Sequence, residues 1–344
     1  MTRLGIGIIG AGRMGRIHAL TYAGIRDVEV KVVCDLDERL GKEVAGLVGA
    51  EWTPEMDRVL DRDDVAAVSI CMPDHLHREA CERAARAGKP MLLEKPIATS
   101  VEDGEAIIEA ATRAGVLLMV GHTLRFDARY FNVKQVIDSG EIGRVQTLFA
   151  RRMGRRSYHL GLKGRVSLPL FLGVHDFDVL RWFAGSEVVK VTAEGRRGVF
   201  EAAGQDVDDA VSALLRFENG VVATVELAWN LPDQILGYQF KADVLCEKGW
   251  VELSCQDQGV VVSKNDGIYV PDTTVTPTVY GHVGGTFRSE IEHFLWCIAT
   301  GSQPVISPQD ALAAVRIALA VEEAARSGQP VHIDFEQTSP LKQR

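Results

Sequence analysis

The glycine-rich stretch at residues 7–15 constrains the fold more than any other part of the sequence. An apolar run over residues 4–9 leads directly into a G-x-G-x-x-G pattern at Gly10, Gly12 and Gly15, and an amphipathic helical pattern follows. The order of strand, glycine turn and helix distinguishes a dinucleotide-binding turn from a chance cluster of glycines. We therefore predict that a Rossmann βαβ unit begins the chain.

Each glycine of this turn has a separate physical reason. Gly10 permits the tight turn, Gly12 lets the backbone approach a pyrophosphate, and Gly15 lets the helix pack against the strand. The N-terminus of that helix offers free N–H groups to the phosphates. The residues expected to line the cofactor here are Gly10, Ala11, Gly12, Arg13, Met14 and Gly15.

An acidic residue follows the second predicted strand at the spacing typical of ribose recognition. Asp35 lies about twenty residues beyond the last glycine, where a Rossmann unit hydrogen-bonds the adenosine ribose hydroxyls. Asp37 adds a second negative charge, so a 2′-phosphate would be repelled by both carboxylates. The sequence therefore favours NAD over NADP as the cofactor.

The pattern of predicted elements changes about one third of the way along the chain. Apolar strands such as Val28 to Cys34 first alternate with helices such as Val101 to Ala114, which predicts a doubly wound parallel sheet. Long alternating strands follow, with an Asn-Gly hairpin signal at Asn219-Gly220, and these predict a large, mostly antiparallel open sheet. We predict an α/β protein with a Rossmann domain over 1–121, a substrate-binding and oligomerisation α/β domain over 122–335, and a polar tail over 336–344.

Composition limits the partners of the chain. The 344 residues carry a formal net charge of −9, which argues against a nucleic-acid partner. No apolar run approaches the length of about 20 residues that a membrane span needs. The N-terminal run ends in glycines instead of a signal-peptide cleavage site, so we expect a cytoplasmic protein. The cysteines lack the spacing of a zinc site, and no metal is expected.

A lysine follows the predicted strand Met91 to Glu94. At the carboxyl edge of a doubly wound sheet, where ligands bind, Lys95 can hydrogen-bond a substrate hydroxyl and help lower its pKa. A solvated loop lysine is the simpler interpretation of Lys95 taken alone. Pro96 stiffens the turn, since its ring fixes φ.

Several segments together resemble the Gfo/Idh/MocA family, which includes glucose-fructose oxidoreductase and inositol dehydrogenase. The resemblance covers nearly the whole chain, and the Glu-Lys-Pro and His-Asp-Phe-Asp segments are its most specific parts. It implies nicotinamide-dependent oxidation or reduction of a sugar, cyclitol or sugar derivative. The bare face of the predicted open sheet separately favours a homodimer or homotetramer. The segments, in order, are the start Gly5 to Gly15, Pro73 to His77, Glu94 to Pro96, Gly121 to Asp127, and His175 to Trp182.

The resemblance also implies roles for individual residues. Lys95 matches the lysine of the family's catalytic pair, and His175 matches its partner, which takes or returns the hydroxyl proton. His77 and His122 match positions that meet the nicotinamide ribose or the pocket wall, and Asp74 stands where an Asn is common. Further expected cofactor contacts are Met72, Pro73, Glu94 and Lys95, and expected substrate contacts are Thr123, Arg152, Tyr158 and His175.

One departure from the family pattern concerns the proton relay. Many sugar and inositol dehydrogenases of this family carry an Asp four residues before the catalytic histidine, and this chain has Phe171 there. Three interpretations stay open: Lys95 and His175 work alone, another group such as Tyr158 substitutes, or the activity is altered or absent. Two other functions therefore stand beside a dehydrogenase. One is an NAD-retaining enzyme that cleaves or eliminates a glycoside, and the other is a non-catalytic NAD-binding sensor or scaffold.

Two sets of charged residues have two interpretations each. Asp176 and Asp178 follow the predicted catalytic histidine, and either one orients its ring or caps the helix. Arginines at 151, 152, 155, 156 and 165 could bind an acidic or nucleotide-linked sugar. Solvated charges with one or two ion pairs explain the arginines equally well.

Overall fold

The computed structural model describes residues 3–235, 239–265 and 267–335. The predicted polar tail, 336–344, lies outside the described residues. The chain divides into two compact units, the first comprising residues up to 126 with 274–312, and the second comprising 127–273 with the residues after 312. Residues 274–312 group with the N-terminal unit, so neither unit is one continuous stretch of the chain. The division into contiguous domains 1–121 and 122–335 stays a prediction.

The N-terminal part alternates strands and helices as predicted. Single turns of 3-10 helix occur at Asp74–Leu76 and Thr123–Phe126. The main elements are β1 (Leu4–Ile9), α1 (Arg13–Ala23), β2 (Val28–Cys34), α2 (Glu38–Val48), β3 (Glu51–Thr53), α3 (Asp57–Leu60), β4 (Ala67–Ile70), α4 (His77–Arg86), β5 (Met91–Glu94), α5 (Val101–Ala114) and β6 (Leu118–Gly121).

The six strands β1 to β6 form one parallel sheet in the order β3-β2-β1-β4-β5-β6. The strand order reverses on either side of β1, which creates the switch point where doubly wound sheets bind ligands. The carboxyl ends of β1, β4, β5 and β6 carry Gly10, Met72, Lys95 and His122. This parallel sheet confirms the predicted Rossmann fold.

Later elements complete the two units. A π-helical turn occupies Pro169–Gly173. The elements are α6 (Ala128–Asp138), β7 (Val145–Arg155), α7 (Arg156–Leu160), α8 (Val174–Ala184), β8 (Val188–Arg196), α9 (Val199–Ala202), β9 (Ala210–Phe217), β10 (Val222–Leu231), β11 (Gln239–Cys246), β12 (Trp250–Ser254), β13 (Val262–Lys264), β14 (Gly267–Tyr269), β15 (Thr278–Val279), β16 (His282–Val283), α10 (Gly285–Thr300), α11 (Pro308–Ser327) and β17 (Val331–His332).

The second unit is built on a seven-stranded sheet in the order β12-β11-β7-β10-β9-β8-β17. Among the described strands of this sheet, β7 and β10 pair in parallel and the other neighbours are antiparallel. The Asn-Gly signal joins the antiparallel strands β9 and β10, as predicted. The large, mostly antiparallel sheet is therefore confirmed, with one parallel pair that the pattern did not indicate.

Local chemistry explains where α6 begins. The carboxylate of Asp127 caps this helix by accepting the Arg129 N–H at 2.9 Å, so the helix begins at Ala128. The segment between β7 and Ser167 contains the short helix α7. The three-residue strand β3 was not predicted, since its Glu-Trp-Thr sequence is too short to show a period.

The hydrophobic core of the first unit lies between the parallel sheet and the helices α1, α2 and α10. Ile6 and Ile8 of β1 are fully buried, as are Ile291 and Phe294 of α10. Burying each such side chain contributes about 1.5–3 kcal/mol. Across the described ranges, none of the helices has the length and apolar character needed to traverse a lipid bilayer.

Candidate active site

Two glycines of the turn after β1 are required by packing. Gly10 has φ +98°, and a Cβ there would lie 2.6 Å from the carbonyl oxygen of Cys71. A Cβ on Gly15 would lie only 1.8 Å from the carbonyl oxygen of Gly10. The first turn of α1 therefore rests directly on the glycine turn, which is the close approach that the motif predicts.

Gly12 differs from its neighbours because its Cβ position is open. Among the described residues, apart from its chain neighbours and the backbone of its own helix, no atom lies within 4 Å of that position, and Gly12 is exposed to solvent. Gly12 is also the N-cap of α1, where no side chain caps the helix and no acidic residue occupies the first turn. An open surface at an uncapped, electropositive helix end fits a pyrophosphate, so the chain's own geometry is suited to NAD.

Asp35 is fixed beside this turn by main-chain hydrogen bonds. Its two carboxylate oxygens accept the N–H of Ala11 at 2.6 Å and the N–H of Asp37 at 2.8 Å. A carboxylate has about four acceptor sites, so others stay available for ribose hydroxyls. The carboxylate of Asp37 caps α2 by accepting the Leu40 N–H at 3.1 Å, a role that the sequence interpretation had not assigned to it.

His77 links the loops that follow β4 and β5. Its Nδ1 lies 2.9 Å from the carbonyl oxygen of Pro96, and its Nε2 lies 3.1 Å from that of Met72. The ring is buried, and this burial lowers the pKa of His77. Both partners are acceptors and a neutral imidazole has one N–H, so His77 donates to one carbonyl at a time while its ring lies between the two loops. Direct contact of His77 with a cofactor stays a prediction, as does the expected contact of Pro73.

Glu94 points into the first unit instead of towards solvent. Its Oε1 lies 3.0 Å from Nε2 of His18, whose Nδ1 lies 3.2 Å from Oγ of Ser69, and that hydroxyl lies 2.9 Å from the Tyr22 hydroxyl. This buried chain was not predicted, because His18 and Tyr22 are spaced four apart on α1 and look like its apolar face. The expected cofactor contact of Glu94 stays a prediction.

The remaining predicted residues of the first unit follow β5 and β6. Lys95 is half-buried directly after β5, whereas His122 and Thr123 are buried after β6. Because parallel strands present their carboxyl ends at one edge, these residues share that edge with Gly10 and Met72. Their individual contacts with cofactor or substrate stay predictions.

In the second unit, His175 lies in the first turn of α8 and is half-buried. The next residue, Asp176, receives two hydrogen bonds from the guanidinium of Arg152, at 2.6 and 3.1 Å. The ring of Phe240 covers that guanidinium, 4.1 Å from its centroid. The buried pair fixes α8 to β7 next to His175, while Asp178 is fully buried.

The structure commits Arg152 to this internal ion pair, so the predicted substrate contact of Arg152 has no support from its placement. Neighbouring arginines have protein partners too. Arg151 pairs with Glu226 at 2.8 Å, and Arg155 and Arg156 donate to main-chain carbonyls. These contacts favour the ion-pair interpretation over a binding site for an acidic sugar.

Phe171 lies in the π-helical turn that precedes α8, four residues before His175. Its ring contacts those of Tyr158 and His159, with centroids 6.3 and 5.6 Å apart. The ring of His159 also packs 5.4 Å from that of Trp229. Where the family resemblance implied a carboxylate, this chain therefore has an aromatic cluster, and Tyr158 is 45% exposed.

Comparisons with known proteins agree with this architecture. Residues 4–122 match the model of the oxidoreductase family with an NAD-binding Rossmann fold, and 130–252 match the GFO/IDH/MocA C-terminal domain. The chain is 31% identical to an inositol 2-dehydrogenase of Rhizobium meliloti over 91% of its own length and 94% of the relative. It is 28% identical to the NAD(+)-dependent scyllo-inositol 2-dehydrogenase of Bacillus subtilis, with 96% of each chain covered.

A solved structure shows the same likeness. The scyllo-inositol dehydrogenase of Lactobacillus casei, with bound NAD(H) and scyllo-inositol, superimposes with a TM-score of 0.84 at 26% identity. The match covers 96% of this chain and 99% of that one. The likeness thus extends over both units.

Proposed function

The chain belongs to the Gfo/Idh/MocA family of NAD-binding oxidoreductases, and we propose that it is an NAD-dependent dehydrogenase that acts on a ring hydroxyl of a cyclitol such as an inositol. The observation that carries the cofactor assignment is the open helix end at Gly12 beside the fixed carboxylate of Asp35. The cyclitol assignment is supported by the similarity to inositol dehydrogenases along nearly the whole chain.

Bound NAD supplies the hydride acceptor for this chemistry. Lys95 is proposed to donate a hydrogen bond to the substrate hydroxyl oxygen, which lowers the pKa of that hydroxyl. His175 is proposed to take the hydroxyl proton, a task that suits an imidazole with an ordinary pKa of about 6.5. The Arg152–Asp176 pair is a positioning device for His175, because it fixes the helix turn that carries the histidine.

Phe171 leaves this chain without a carboxylate four residues before His175. The proposed proton transfer therefore goes from the substrate to His175 without a relay through that position. Tyr158, whose ring contacts Phe171, is the second candidate for a group that assists this transfer.

A substrate panel tests this function. Purified protein is incubated with cyclitols, aldoses and sugar acids, with NAD and NADP separately, and the absorbance of the reduced cofactor is followed. We expect NADH formation with at least one inositol. Replacement of Lys95 by Met is expected to lower kcat by about 10²- to 10⁴-fold, the range for a lost acid–base group, while NADH still binds. Lys248→Met changes an exposed lysine and serves as the control.

The same panel, extended with glycosides and with detection of the released sugar, separates the alternative functions. Cleavage of a glycoside without release of NADH would identify an NAD-retaining enzyme. Binding of NADH with no turnover of any compound, and no effect of Lys95→Met, would identify a sensor or scaffold. Either result would replace the dehydrogenase assignment.

We also propose that the chain is a cytoplasmic homodimer or homotetramer that associates through the open face of the seven-stranded sheet. Leu214 of β9, Leu245 of β11 and Trp250 of β12 are large apolar side chains that are each about half exposed, at 48%, 48% and 58%. Light scattering should show an oligomer that Leu214→Glu weakens. A monomer at micromolar concentration would contradict this proposal.

A further inference from the structure

Two buried carboxyl groups of the first unit converge at Gly121, the last residue of β6. Glu290 of α10 is fully buried, and its Oε1 lies 3.5 Å from the position where a Cβ of residue 121 would stand. Oε1 of Glu94 lies 3.7 Å from the same position. Within the described ranges, neither carboxyl oxygen of Glu290 has a hydrogen-bond partner.

The two groups differ in their protonation. Burial raises the pKa of Glu94, but the hydrogen bond from His18, with the charges of His18, Lys95 and His77, brings it below its ordinary value. Burial, together with the charge of Glu94, holds the pKa of Glu290 well above its ordinary value. Glu290 is therefore a neutral acid beside an ionised carboxylate.

Among the described residues whose charges act on Glu290, none is a cation that would bring its pKa below that of Glu94. The groups facing it are the carboxylate of Glu94, the thiol of Cys71 and the hydroxyl of Tyr22. Burial raises the pKa of both Cys71 and Tyr22, so neither bears a charge at neutral pH. Two ionised carboxylates in one buried space repel each other, which is why such pairs retain one proton.

We propose that Glu290 is a positioning residue whose retained proton bonds to the carboxylate of Glu94 across the space above Gly121, and thereby fixes the Glu94–Lys95–Pro96 turn. The bond passes directly or through one water molecule. Glu94 is then held from two sides, by the imidazole of His18 and by the acid of Glu290. Lys95 follows Glu94 in the chain, so the orientation of its ammonium depends on this anchor. The importance of the anchor for catalysis rests on the proposed role of Lys95.

Substitutions at three positions test this inference. Glu290→Gln keeps a neutral donor of the same shape, whereas Glu290→Met keeps the length and removes the donor. Gly121→Ala adds a methyl group at ordinary van der Waals distance from both oxygens, so it crowds the space that they share without a backbone clash. Glu292→Gln, on the exposed face of α10, is the matched control.

The first readout needs no activity. Infrared spectra at neutral pH should show the carbonyl stretching band of a protonated carboxyl group that Glu290→Gln removes and Glu292→Gln retains. The pKa of Lys95, followed by NMR of the lysine ε-carbon, should move in Glu290→Met and Gly121→Ala and return in Glu290→Gln. Absence of the protonated band, or a Lys95 pKa that is the same in all variants, overturns the inference even if the protein oxidises no cyclitol.

The second readout is turnover of the substrate found in the panel. Glu290→Met and Gly121→Ala should lower kcat by about ten- to a hundredfold, the effect of a misplaced catalytic group, with the KM for NAD within about twofold of wild type. Glu290→Gln should recover most of that loss. Equal kcat in Glu290→Met and Glu290→Gln would exclude a positioning role. A stable Glu290→Met protein with low kcat separates positioning from a general loss of folding.

Discussion

Alanine substitutions at Gly12 and Gly15 separate the cofactor role of the glycine turn from its packing role. Each change adds one methyl group to the same motif. In Gly15→Ala, the added Cβ would overlap the Gly10 carbonyl oxygen at 1.8 Å, so the backbone must shift. In Gly12→Ala, the added Cβ would meet no protein atom within 4 Å.

The expected magnitudes follow from these distances. Overpacking typically costs about 1–3 kcal/mol, and a backbone clash places Gly15→Ala at the upper end or beyond. Gly12→Ala replaces only a glycine N-cap, and the free energy of unfolding should fall by about 1 kcal/mol or less. If a pyrophosphate lies against Gly12, the methyl group costs about 1–3 kcal/mol of binding, which is about a five- to 150-fold loss of NADH affinity.

Urea unfolding without cofactor and NADH fluorescence titration measure the two effects separately. Gly12→Ala should be nearly as stable as wild type and bind NADH weakly. Gly15→Ala should be unstable before any cofactor is added. A Gly12→Ala protein that binds NADH with wild-type affinity would falsify the placement of the phosphates at this helix end.

Three further predictions follow from the fixed charges. Asp35→Ser should lower NAD affinity by about tenfold or more, because a charged hydrogen bond to the ribose contributes about 1.5–3 kcal/mol. The affinity for NADP should stay the same or rise, and titration with both cofactors measures the two effects. Arg152→Leu should lower the free energy of unfolding by about 3–5 kcal/mol, because it leaves Asp176 buried and unpaired; the double replacement of both by Leu should recover most of that loss in urea unfolding. In the unfolded chain Glu290 loses its proton above its ordinary pKa of 4.5, whereas in the folded protein it retains the proton. The free energy of unfolding should therefore fall as pH rises from 4.5 towards the raised pKa, by at most about 1.4 kcal/mol per pH unit. Unfolding experiments over this pH range should show that Glu290→Gln removes the slope.

The local signals in the sequence were strong enough for the Rossmann half. Gly10 and Gly15 are needed because neighbouring backbone leaves no room for a side chain, and a motif of fixed spacing records that requirement. Strands such as β2 and β5 were predicted with their observed bounds, since buried parallel strands appear as continuous apolar runs between turn residues. The Gfo/Idh/MocA resemblance was likewise carried by contiguous motifs.

Contacts between distant residues could not be predicted in the same way. Arg152 looked like a substrate-binding cation and is instead paired with Asp176, 24 positions along the chain. The ring nitrogens of His77 face the carbonyl oxygens of Met72 and Pro96, and the motif that includes His77 did not indicate these contacts. Hydrophobic periodicity reports which face of an element is buried, and it carries no information on which polar groups meet inside.

The sequence by itself determined the cofactor turn, the parallel sheet and the identity of the family, because each depends on short-range spacing. Only the tertiary structure decided how the charges inside the protein are arranged. Glu94 and Glu290 are separated by almost two hundred residues, yet both reach the space above Gly121. The protonation of Glu290 depends on its burial and on the charge of Glu94, and both of these arise only when β5, β6 and α10 pack together.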